Sequence, residues 1–472
     1  MSSIAEAAGP GDTGAAIPPP VRRRPIFVIV AFALLMMSLD GTIVATALHA
    51  IQQDLGTGVN WSGWTITAYS LGFVIMLPVA GKLSERLGRK RVFLGSVAVF
   101  TAASLLCGLS GNIATLIALR ALQAAGGAGF TPSATGIIVD HFGEERDRAV
   151  GLFGSIFPIG SMIGPIFGGI FVTWWSWRGI FYVNLPIGLL VLVLAWRLIP
   201  ADPPRRRDPG FTMDPGGMAL MAAGLLGGML AASWLGEPGA RLDDIRFLLP
   251  AVIGAGSLAL FLRHIARVPR PFIAPRFVAG RQFGVVNLAN ALFGGVTKGA
   301  IALVPIYAAY RYGLDALQAG TLLIAQGLAT IAFSATAAFA LRRSGHRLPV
   351  LLGVTAICAG LVLLSLAPRF GLSPWTWLAC GAFVIGAGSG TINPATRNAG
   401  LQLAPEHSST LAALRSLSLQ VGGIVTVSIA TAILAGASDP AAAQAWIYLA
   451  MAACLLLALP LVARIPEHRG RW

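Results

Sequence analysis

The sequence predicts an all-α integral membrane protein in which two six-helix bundles are joined by two linker helices, giving fourteen transmembrane helices. Of its 472 residues, 56% are hydrophobic and only 11% are charged, and the mean hydropathy is +0.75. A soluble domain of this size would need far more charge to cover its surface. Apolar runs of about 20 residues, the length that crosses a bilayer, recur along almost the whole chain.

These apolar runs place the spans in chain order. The predicted spans lie near 26–48, 62–81, 91–110, 113–136, 149–172, 178–198, 214–235, 246–265, 283–309, 315–340, 349–367, 375–394, 411–435 and 443–463. The seventh and eighth are the least marked, because 199–245 is rich in Pro, Gly and charge. The predicted domains are a disordered cytoplasmic tail at 1–25, a bundle at 26–200, a linker with two spans at 201–270, a second bundle at 271–465 and a cytoplasmic tail at 466–472.

The distribution of Lys and Arg predicts the orientation in the membrane. The N-terminus, the even-numbered connections and the C-terminus hold 27 of these residues, the odd-numbered connections hold five, and Arg120 and Lys298 fall within spans. Because cytoplasmic loops carry the excess of positive charge, both termini are expected in the cytoplasm of a bacterial cell. The net charge of +15 then faces anionic lipid headgroups. It does not indicate nucleic-acid binding, since no polar domain gathers the cations.

A weak internal repeat relates the two halves. When Gly345 is aligned with Gly88, the basic residues at 342–347 fall beside those at 85–90, and both stretches follow the second span of their half. Two related halves with a site between them at the membrane midplane are a recurrent plan of transporters.

Asp40 and Arg120 are the charged residues that lie deepest in the predicted spans of the first bundle. At about 1.5 Å per residue, Asp40 lies roughly 21 Å from the cytoplasmic edge of a core about 30 Å thick, and Arg120 roughly 10 Å below the outer edge. The two counts give nearly the same depth. Since intramembrane charges face a cavity or one another, we expect an ion pair between the first and fourth spans. The purely structural alternative is a permanent ion pair that only fixes the orientation of the two helices relative to each other.

Three further features carry candidate functions. The stretch 81–91 holds five cations and Glu85, which could lock to a helix end or an arginine in one conformation and release in another. Gly160, Gly164 and Gly168 form a smooth helix stripe that allows close packing. Lys298 could meet an anionic substrate group, or could snorkel or pair with a carbonyl.

These motifs together resemble the major facilitator superfamily, specifically its fourteen-span drug:proton antiporter branch. The resemblance rests on the motifs at 39–44, 81–91, 119–123 and 160–169, and on 177–186 in the sixth span. This chain has Glu85 where the loop signature usually has Asp, and Ala124 where a Gly is expected after Gln123. The resemblance implies proton-driven multidrug efflux, and hence antibiotic resistance, by alternating access.

The resemblance also implies roles for individual residues. Proton coupling falls to Asp40 and Arg120. A gating loop is formed by Gly81, Glu85, Arg86, Gly88, Arg89 and Lys90, and a hinge and seal between the halves by Gly160, Gly164, Pro165, Gly168 and Gly169. The simpler alternatives are anchoring by positive charge for the loop and ordinary small-residue packing for the stripe.

Several polar residues within spans are candidates for a substrate cavity. They are Gln123 and Lys298, with Tyr69, Asn184, Asn287, Asn290, Tyr307, Gln326 and Asn393. For Gln123, which shares a helix face with Arg120, the alternative is simple hydrogen bonding between helices. No Walker loop, metal-ligand spacing or nucleophile elbow appears in the sequence, which argues against an enzyme and against nucleotide hydrolysis. We therefore expect no metal or cofactor. We also expect a monomer, whose partners are a small-molecule substrate, protons and membrane lipids. A dedicated exporter of one metabolite or self-made antibiotic is the main alternative to a broad drug pump.

Overall fold

The fold is that of a computed structural model, in which residues 23–57, 59–202, 214–235, 241–314, 316–435 and 437–469 are described. Fourteen helices in this part of the chain are long and apolar enough to cross a membrane, which confirms the predicted fold class. They are α1 (Arg23–Asp54), α2 (Val59–Leu87), α3 (Arg89–Leu109), α4 (Ile113–His141), α5 (Arg146–Trp174), α6 (Gly179–Leu198), α7 (Pro215–Trp234), α8 (Ile245–Arg267), α9 (Phe283–Tyr312), α10 (Ala316–Ser344), α11 (Arg347–Ser365), α12 (Pro374–Leu401), α13 (Ser408–Ala435) and α14 (Pro440–Leu457). Most of the tail predicted at 1–25 lies outside the described residues, although α1 already begins at Arg23.

Three of the helices change geometry along their length. α4 is interrupted at Ala128 and Gly129, and α6 at Val183. α9 contains a π-helical segment, Asn290–Gly295. Such wider turns often occur at functional sites, and this one contributes to the wall of the central cavity described below.

The connection between α2 and α3 is shorter than the sequence predicts. Instead of a hairpin over 81–91, α2 continues to Leu87 and α3 begins at Arg89, so Gly88 alone separates them. Gly88 has φ +106°, a conformation that side chains with a Cβ rarely adopt. The chain can therefore reverse within one residue, and most of the predicted gating loop is helical.

The second half repeats this connection in detail. Gly345 also has a positive φ, +71°, at the corresponding junction between α10 and α11. In the first half Asp202 accepts hydrogen bonds from the backbone N–H groups of Lys90 and Arg91, at 2.9 and 3.1 Å. In the second half Glu467 accepts from the backbone of the two residues after Gly345, at 2.8 and 3.3 Å. Each carboxylate thus satisfies free N–H groups at a helix N-terminus.

Each half has a main cluster of buried apolar side chains, and that of the first half also includes Leu411 and Leu414 of α13. One cluster of buried side chains includes Phe93, Phe100 and Phe130 of the first half, and another includes Phe293 and Tyr307 of the second. Because lipid tails are as apolar as the side chains, the hydrophobic effect does not drive helices together in the membrane, and their association depends on close packing of the backbones. An added Cβ at Gly388 of α12, for example, would lie 2.5 Å from the backbone oxygen of Gly353 in α11.

The linker helices α7 and α8 pack against each other, and α7 also contacts α2 of the first half and α13 of the second. Met221 of α7 and Phe261 of α8 belong to the core cluster that includes Phe93 and Phe130. Asp214, just before α7, connects the start of α7 to the end of α8. It accepts from Gly217 N at 2.8 Å and from Phe272 N at 3.2 Å, and it lies 2.8 Å from His264 Nε2. The linker is therefore anchored where the chain enters α7 and leaves α8, and α7 borders both halves.

Candidate functional site

Asp40 and Arg120 form a buried ion pair between α1 and α4. Arg120 Nη1 donates to Asp40 Oδ2 at 2.7 Å, and the two residues are 0% and 1% exposed. The structure thus brings together the two charges that were placed at equal depth from the sequence. A buried pair of this kind is tolerated only when further hydrogen bonds satisfy its remaining atoms.

Gln123 and Asn184 supply those hydrogen bonds around Asp40. Gln123 Nε2 donates to Asp40 Oδ1 at 2.8 Å and to Ser104 Oγ at 2.7 Å, and its Oε1 accepts from Arg120 Nη1 at 2.5 Å. Asn184 Nδ2 donates to Asp40 Oδ1 at 3.1 Å. Gln123 and Asn184 are therefore fully buried in the packing between α1, α3, α4 and α6 and do not line the cavity, so Gln123 has the contacts of the alternative in which it hydrogen-bonds between helices.

A cavity of about 510 Å³ lies between the two halves. Its wall comes from α1, α2, α4 and α5 on one side and from α9 to α13 on the other. Much of the wall is apolar, including Met37, Phe73, Phe157, Phe293, Ile301 and Leu419. This volume and this mixture of apolar and polar groups suit a drug-sized molecule.

Arg120 joins the ion pair to the cavity. Its side chain lines the wall, whereas Asp40 is not among the lining residues. The guanidinium carbon lies 4.2 Å from the ring centroid of Tyr69, another residue of the wall. A change in charge at Asp40 can therefore reach the cavity through the position of Arg120.

The structure places most of the other predicted cavity residues in the wall. They are Tyr69, Asn290, Lys298, Gln326 and Asn393. Lys298 Nζ donates to Gln420 Oε1 of α13. Two other candidates do not line this cavity: Tyr307 packs against Tyr448 in the core of the second half, and Asn287 lines a smaller neighbouring recess and donates to the backbone oxygen of Phe277.

Arg397 of α12 and Arg415 of α13 also line this cavity, and neither is among the residues predicted from the sequence. The charge count assigned them to the connections, but both lie within helices and are 6% and 8% exposed. Arg415 falls inside the span predicted at 411–435, and Arg397 lies three residues beyond the span predicted at 375–394. Their positions inside or next to a predicted span were the available signal. A hydropathy average over a whole span does not show whether a charged side chain near the helix end turns inward.

Contacts of α2 with α13 close the cavity at one end. Glu85 Oε1 accepts from the backbone N–H of Thr410 at 2.8 Å, and its Oε2 lies 3.2 Å from His407 Nδ1. The hydroxyl oxygens of Ser84 and Ser409 are 3.2 Å apart. Because Thr410 lies in the first turn of α13, the carboxylate also meets the positive end of the helix dipole.

The other residues of the predicted gating loop differ in their contacts. A Cβ at Gly81 would lie 2.9 Å from Ala413 Cβ, so α2 and α13 approach closely there. Arg89 is 3% exposed, pairs with Asp140 at 2.5 Å, donates to Gly136 O and donates to Glu406 O in the other half at 3.4 Å. Lys90 Nζ donates to Trp196 O and Ile199 O at 2.8 and 2.5 Å, and Arg86 is exposed. Gly81, Glu85 and Arg89 therefore reach the second half, while Lys90 contacts the first.

The glycine stripe of α5 packs against α1 within the first half. The nearest atoms to an added Cβ are Ser38 Cβ at Gly160, Thr42 Oγ1 at Gly164 and Thr46 Oγ1 at Gly168, at 2.5, 2.0 and 2.0 Å. This corrects the expectation that the stripe seals the two halves against each other. Nothing lies within 4 Å of a Cβ at Gly169, and the side chain of Pro165 lies outside the described residues. A hinge role for α5 stays a prediction.

Other positions of α5 meet the second half. A Cβ at Gly151 would lie 2.7 Å from Ala338 Cβ, and one at Gly154 would lie 2.5 Å from Ser334 Oγ. Ser155 Oγ donates to Ile331 O at 3.3 Å. The contact between α5 and α10 therefore uses the helix face that carries Gly151 and Gly154.

Comparison with known proteins identifies the family. The family model of the Major Facilitator Superfamily matches residues 30–285 and 286–472. The chain is 31% identical over 409 residues to the Multidrug resistance protein B homolog of Mycobacterium tuberculosis, covering 86% of this chain and 75% of that protein. It is 30% identical over 452 residues to the Methylenomycin A resistance protein of Streptomyces coelicolor, covering 93% and 92%.

A solved structure agrees with this assignment at the level of fold. The human organic anion transporter MFSD10 (TETRAN) superposes with a TM-score of 0.67, covering 93% of this chain and 99% of that one, at 16% sequence identity. Likeness at such low identity establishes the fold alone. Because the family model matches almost the whole chain and the fold agrees with it, this protein belongs to the Major Facilitator Superfamily of membrane transporters.

Proposed function

We propose that this protein is a proton-coupled antiporter that exports hydrophobic or amphipathic small molecules across the bacterial cytoplasmic membrane by alternating access. The observation that carries the proposal is the buried pair of Asp40 and Arg120, whose arginine lines a drug-sized cavity. Ionisable residues inside a membrane are rare and typically belong to ion pathways or proton relays. Two relatives named for multidrug resistance and for methylenomycin A resistance support export as the direction.

The network around Asp40 suggests how a proton could drive transport. Arg120 Nη1 is shared between Asp40 and Gln123, so two acceptors hold the guanidinium against the cavity wall. A proton on the Asp40 carboxylate would remove the charge that attracts Arg120. The guanidinium would then be free to turn toward the cavity and change its affinity for cargo. Loading and release of one proton would in this way alternate two states of the site.

The contacts of Glu85 support a gate in this cycle. With the excess of positive charge on the cytoplasmic side, the end of the molecule that carries Gly88 faces the cytoplasm. In this arrangement α2 and α13 close the cavity toward the cytoplasm. Opening in that direction would break the contacts of Glu85 with Thr410 and His407. Those contacts therefore set part of the free-energy difference between the two states.

Everted membrane vesicles with a preformed pH gradient test the coupling. A cargo is first chosen from a susceptibility panel in a pump-deficient bacterial host with and without the gene. Adding it to vesicles that hold the wild type should collapse the gradient, followed with a fluorescent pH indicator. Asp40→Asn should abolish this response, whereas Asp243→Asn, at an exposed residue between α7 and α8, should preserve it. A full response from Asp40→Asn would show that the proton does not use this carboxylate.

A dedicated exporter of one metabolite or self-made antibiotic is the second candidate. The specific observation in its favour is the relative named for methylenomycin A resistance, which matches over more than nine-tenths of both chains. The same susceptibility panel separates the two candidates. A broad pump should protect the host from several unrelated compounds, and a dedicated exporter from one. A biosynthetic gene cluster beside the gene would also indicate dedicated export.

The remaining parts of the proposal concern topology and partners. Both termini are cytoplasmic, and the protein acts as a monomer in contact with anionic lipids, with the proton gradient as its energy source. Fusing green fluorescent protein to the C-terminus tests the topology, since it fluoresces only when it folds in the cytoplasm. A dark but fully expressed fusion would reverse the assigned orientation.

A further inference from the structure

Arg397 and Arg415 lie together at the gated end of the central cavity. Both line that cavity, and both also line a smaller recess that opens beside it, together with Thr131, Thr396 and Ser416. Arg415 lies five residues beyond Thr410, whose N–H contacts Glu85, which places it about 7.5 Å further along α13. The two guanidinium groups therefore form part of the cavity floor.

Within the described residues neither arginine has a carboxylate partner. Arg415 Nη2 donates to Asn393 Oδ1 at 2.7 Å, while its Nε has no partner. Arg397 Nε and Nη1 have none either, and its guanidinium carbon lies 5.4 Å from the ring centroid of Phe153. The lining residues include no Asp or Glu in the part of the chain that the structure describes. Arg120 differs from both, because Asp40 neutralises it.

This arrangement is unfavourable without a counterion. An arginine side chain stays protonated in proteins, so burial cannot be relieved by loss of a proton. Removing such a charge from water without a partner costs more than packing an apolar side chain of similar volume would. Lys298, which also lacks an acidic partner among the described residues, adds a third positive charge to the cavity wall. The cavity thus has a positive field and unused N–H donors.

We propose that Arg397 and Arg415 form a binding site for the anionic group of an amphipathic organic substrate, a carboxylate or a group of similar size. The planar fork of a guanidinium matches two carboxylate oxygens, and charge-assisted hydrogen bonds of this kind are strong. The apolar part of the substrate then lies against the apolar wall that includes Phe157 and Ile392. This inference rests on the proposed export function and names its substrate class. Cationic compounds are disfavoured by the same field.

Ligand-induced thermal stabilisation of the purified full-length protein in detergent tests the site without transport. The probes are 2-naphthoate and its neutral counterpart 2-naphthamide, which share the ring system and differ in charge. A ligand that binds only the folded state raises Tm with concentration. For the wild type we expect naphthoate to raise Tm and naphthamide to have at least a tenfold weaker effect at equal concentration.

Variants locate the binding site. Arg397→Gln and Arg415→Gln should each raise the apparent Kd for naphthoate at least tenfold, while Arg415→Lys should retain part of the affinity. Arg369→Gln, at an exposed arginine between α11 and α12, is the matched control and should bind like the wild type. Because the two buried arginines lack ion-pair partners, the unliganded glutamine variants should keep or raise the wild-type Tm. A large fall in the unliganded Tm of both variants would indicate a structural role and contradict the proposal.

Three other results would overturn the inference. They are an equal effect of naphthoate and naphthamide on the wild type, an unchanged naphthoate effect in both glutamine variants, and a stabilisation by sodium chloride equal to that by naphthoate. The assay also separates this inference from the proposed function. Intact naphthoate binding with no export activity would contradict only the transporter mechanism, and intact export without charge-dependent binding would contradict only the anion site.

Discussion

The carboxylate of Glu85 in α2 accepts a hydrogen bond from the backbone N–H of Thr410, 2.8 Å away in the first turn of α13. This contact joins the two halves at the end of the molecule where Gly88 and Gly345 reverse the chain. It explains why an acid stands among five cations in the stretch 81–91. The acid meets the start of a helix in the other half, which needs acceptors for its free N–H groups.

Glu85→Gln should weaken this closed arrangement. The Gln oxygen can still accept from Thr410 N, but loss of the charge weakens this hydrogen bond by about 1 kcal/mol, so the ratio of closed to open molecules should fall about fivefold and disulfide formation should slow. The measurement is disulfide formation in a Ser84→Cys/Ser409→Cys pair, whose native hydroxyl oxygens are 3.2 Å apart. The exposed Cys380 and Cys454 are replaced by Ser in this background.

The matched control is Glu145→Gln. Glu145 pairs with Arg23 at 3.3 Å on the same side of the molecule but within the first half, so this change should leave the disulfide rate unaltered. If Glu85→Gln forms the disulfide as fast as the unsubstituted background, the contact does not hold the halves together.

Gly88→Ala should destabilise the junction of α2 and α3. An alanine at φ +106° is strained, and its Cβ would lie 2.2 Å from Asp202 Oδ2, which accepts from Arg91 N at the start of α3. The strain and the lost cap should together cost about 1–3 kcal/mol. Tm in detergent should fall by several degrees, with a similar fall for Gly345→Ala. Gly95→Ala, in the middle of α3 with open space around it, should be neutral or slightly stabilising.

Gly164→Ala should separate α5 from α1 beside the ion pair. The new Cβ would lie 2.0 Å from Thr42 Oγ1 and 3.1 Å from Leu39 O, so α1 must shift next to Asp40. Overpacking of this kind typically costs about 1–3 kcal/mol. Thr42→Ala removes the nearest obstructing atom, so the double variant should recover part of the lost Tm and of the proton response. Gly169→Ala should have little effect, because nothing lies within 4 Å of that position.

A double-mutant cycle over positions 42 and 164 measures the interaction energy between the two side chains. Residues in contact show an interaction energy of about 0.5–3 kcal/mol. Strictly additive effects of the two substitutions would mean that α1 and α5 do not meet at this point.

Asp214→Asn should loosen the linker helices. Burial pushes the pKa of this carboxyl upward, but hydrogen bonds from Gly217, His264 and Phe272 outweigh it and lower the pKa below its ordinary value of 3.8. A carboxyl with a lowered pKa contributes stability above its unfolded pKa, and this contribution is lost as the pH falls through the folded value. The wild type should therefore have a higher Tm than Asp214→Asn throughout pH 5–8.

The pH dependence provides the check on this assignment. The difference in Tm between the wild type and Asp214→Asn should narrow only below about pH 4, where the wild-type carboxyl takes up a proton. Asp243→Asn, at an exposed residue, should match the wild type at every pH. A difference that already vanishes near pH 6 would place the stabilising charge on another group.

The fold could be predicted from the sequence because bilayer spanning depends on local properties. A run of about 20 apolar residues is visible without any knowledge of its neighbours, and the helices fall where those runs lie. The depth of Asp40 and of Arg120 was equally accessible, since depth follows from residue count at a fixed rise per residue. The ends of helices were less accessible: α1 runs to Asp54, six residues beyond its predicted end.

The site was only partly predictable, because rotation of a helix about its axis depends on distant partners. Gln123 shares a helix face with Arg120, yet its amide turns to Asp40 and Ser104. The glycine stripe of α5 faces α1, whereas other positions of α5 face the second half. Spacing along one helix indicates which residues share a face, but not what that face meets.

The sequence by itself determined the number of spans, the asymmetry of charge and the depth of the charged pair, since each depends on hydrophobicity or distance along one chain segment. Only the tertiary structure decided that Glu85 meets Thr410 and that Arg397 and Arg415 reach the cavity without a carboxylate beside them. The physical reason is that helices distant in sequence pack together to form this cavity, and their mutual rotation selects the side chains that line it.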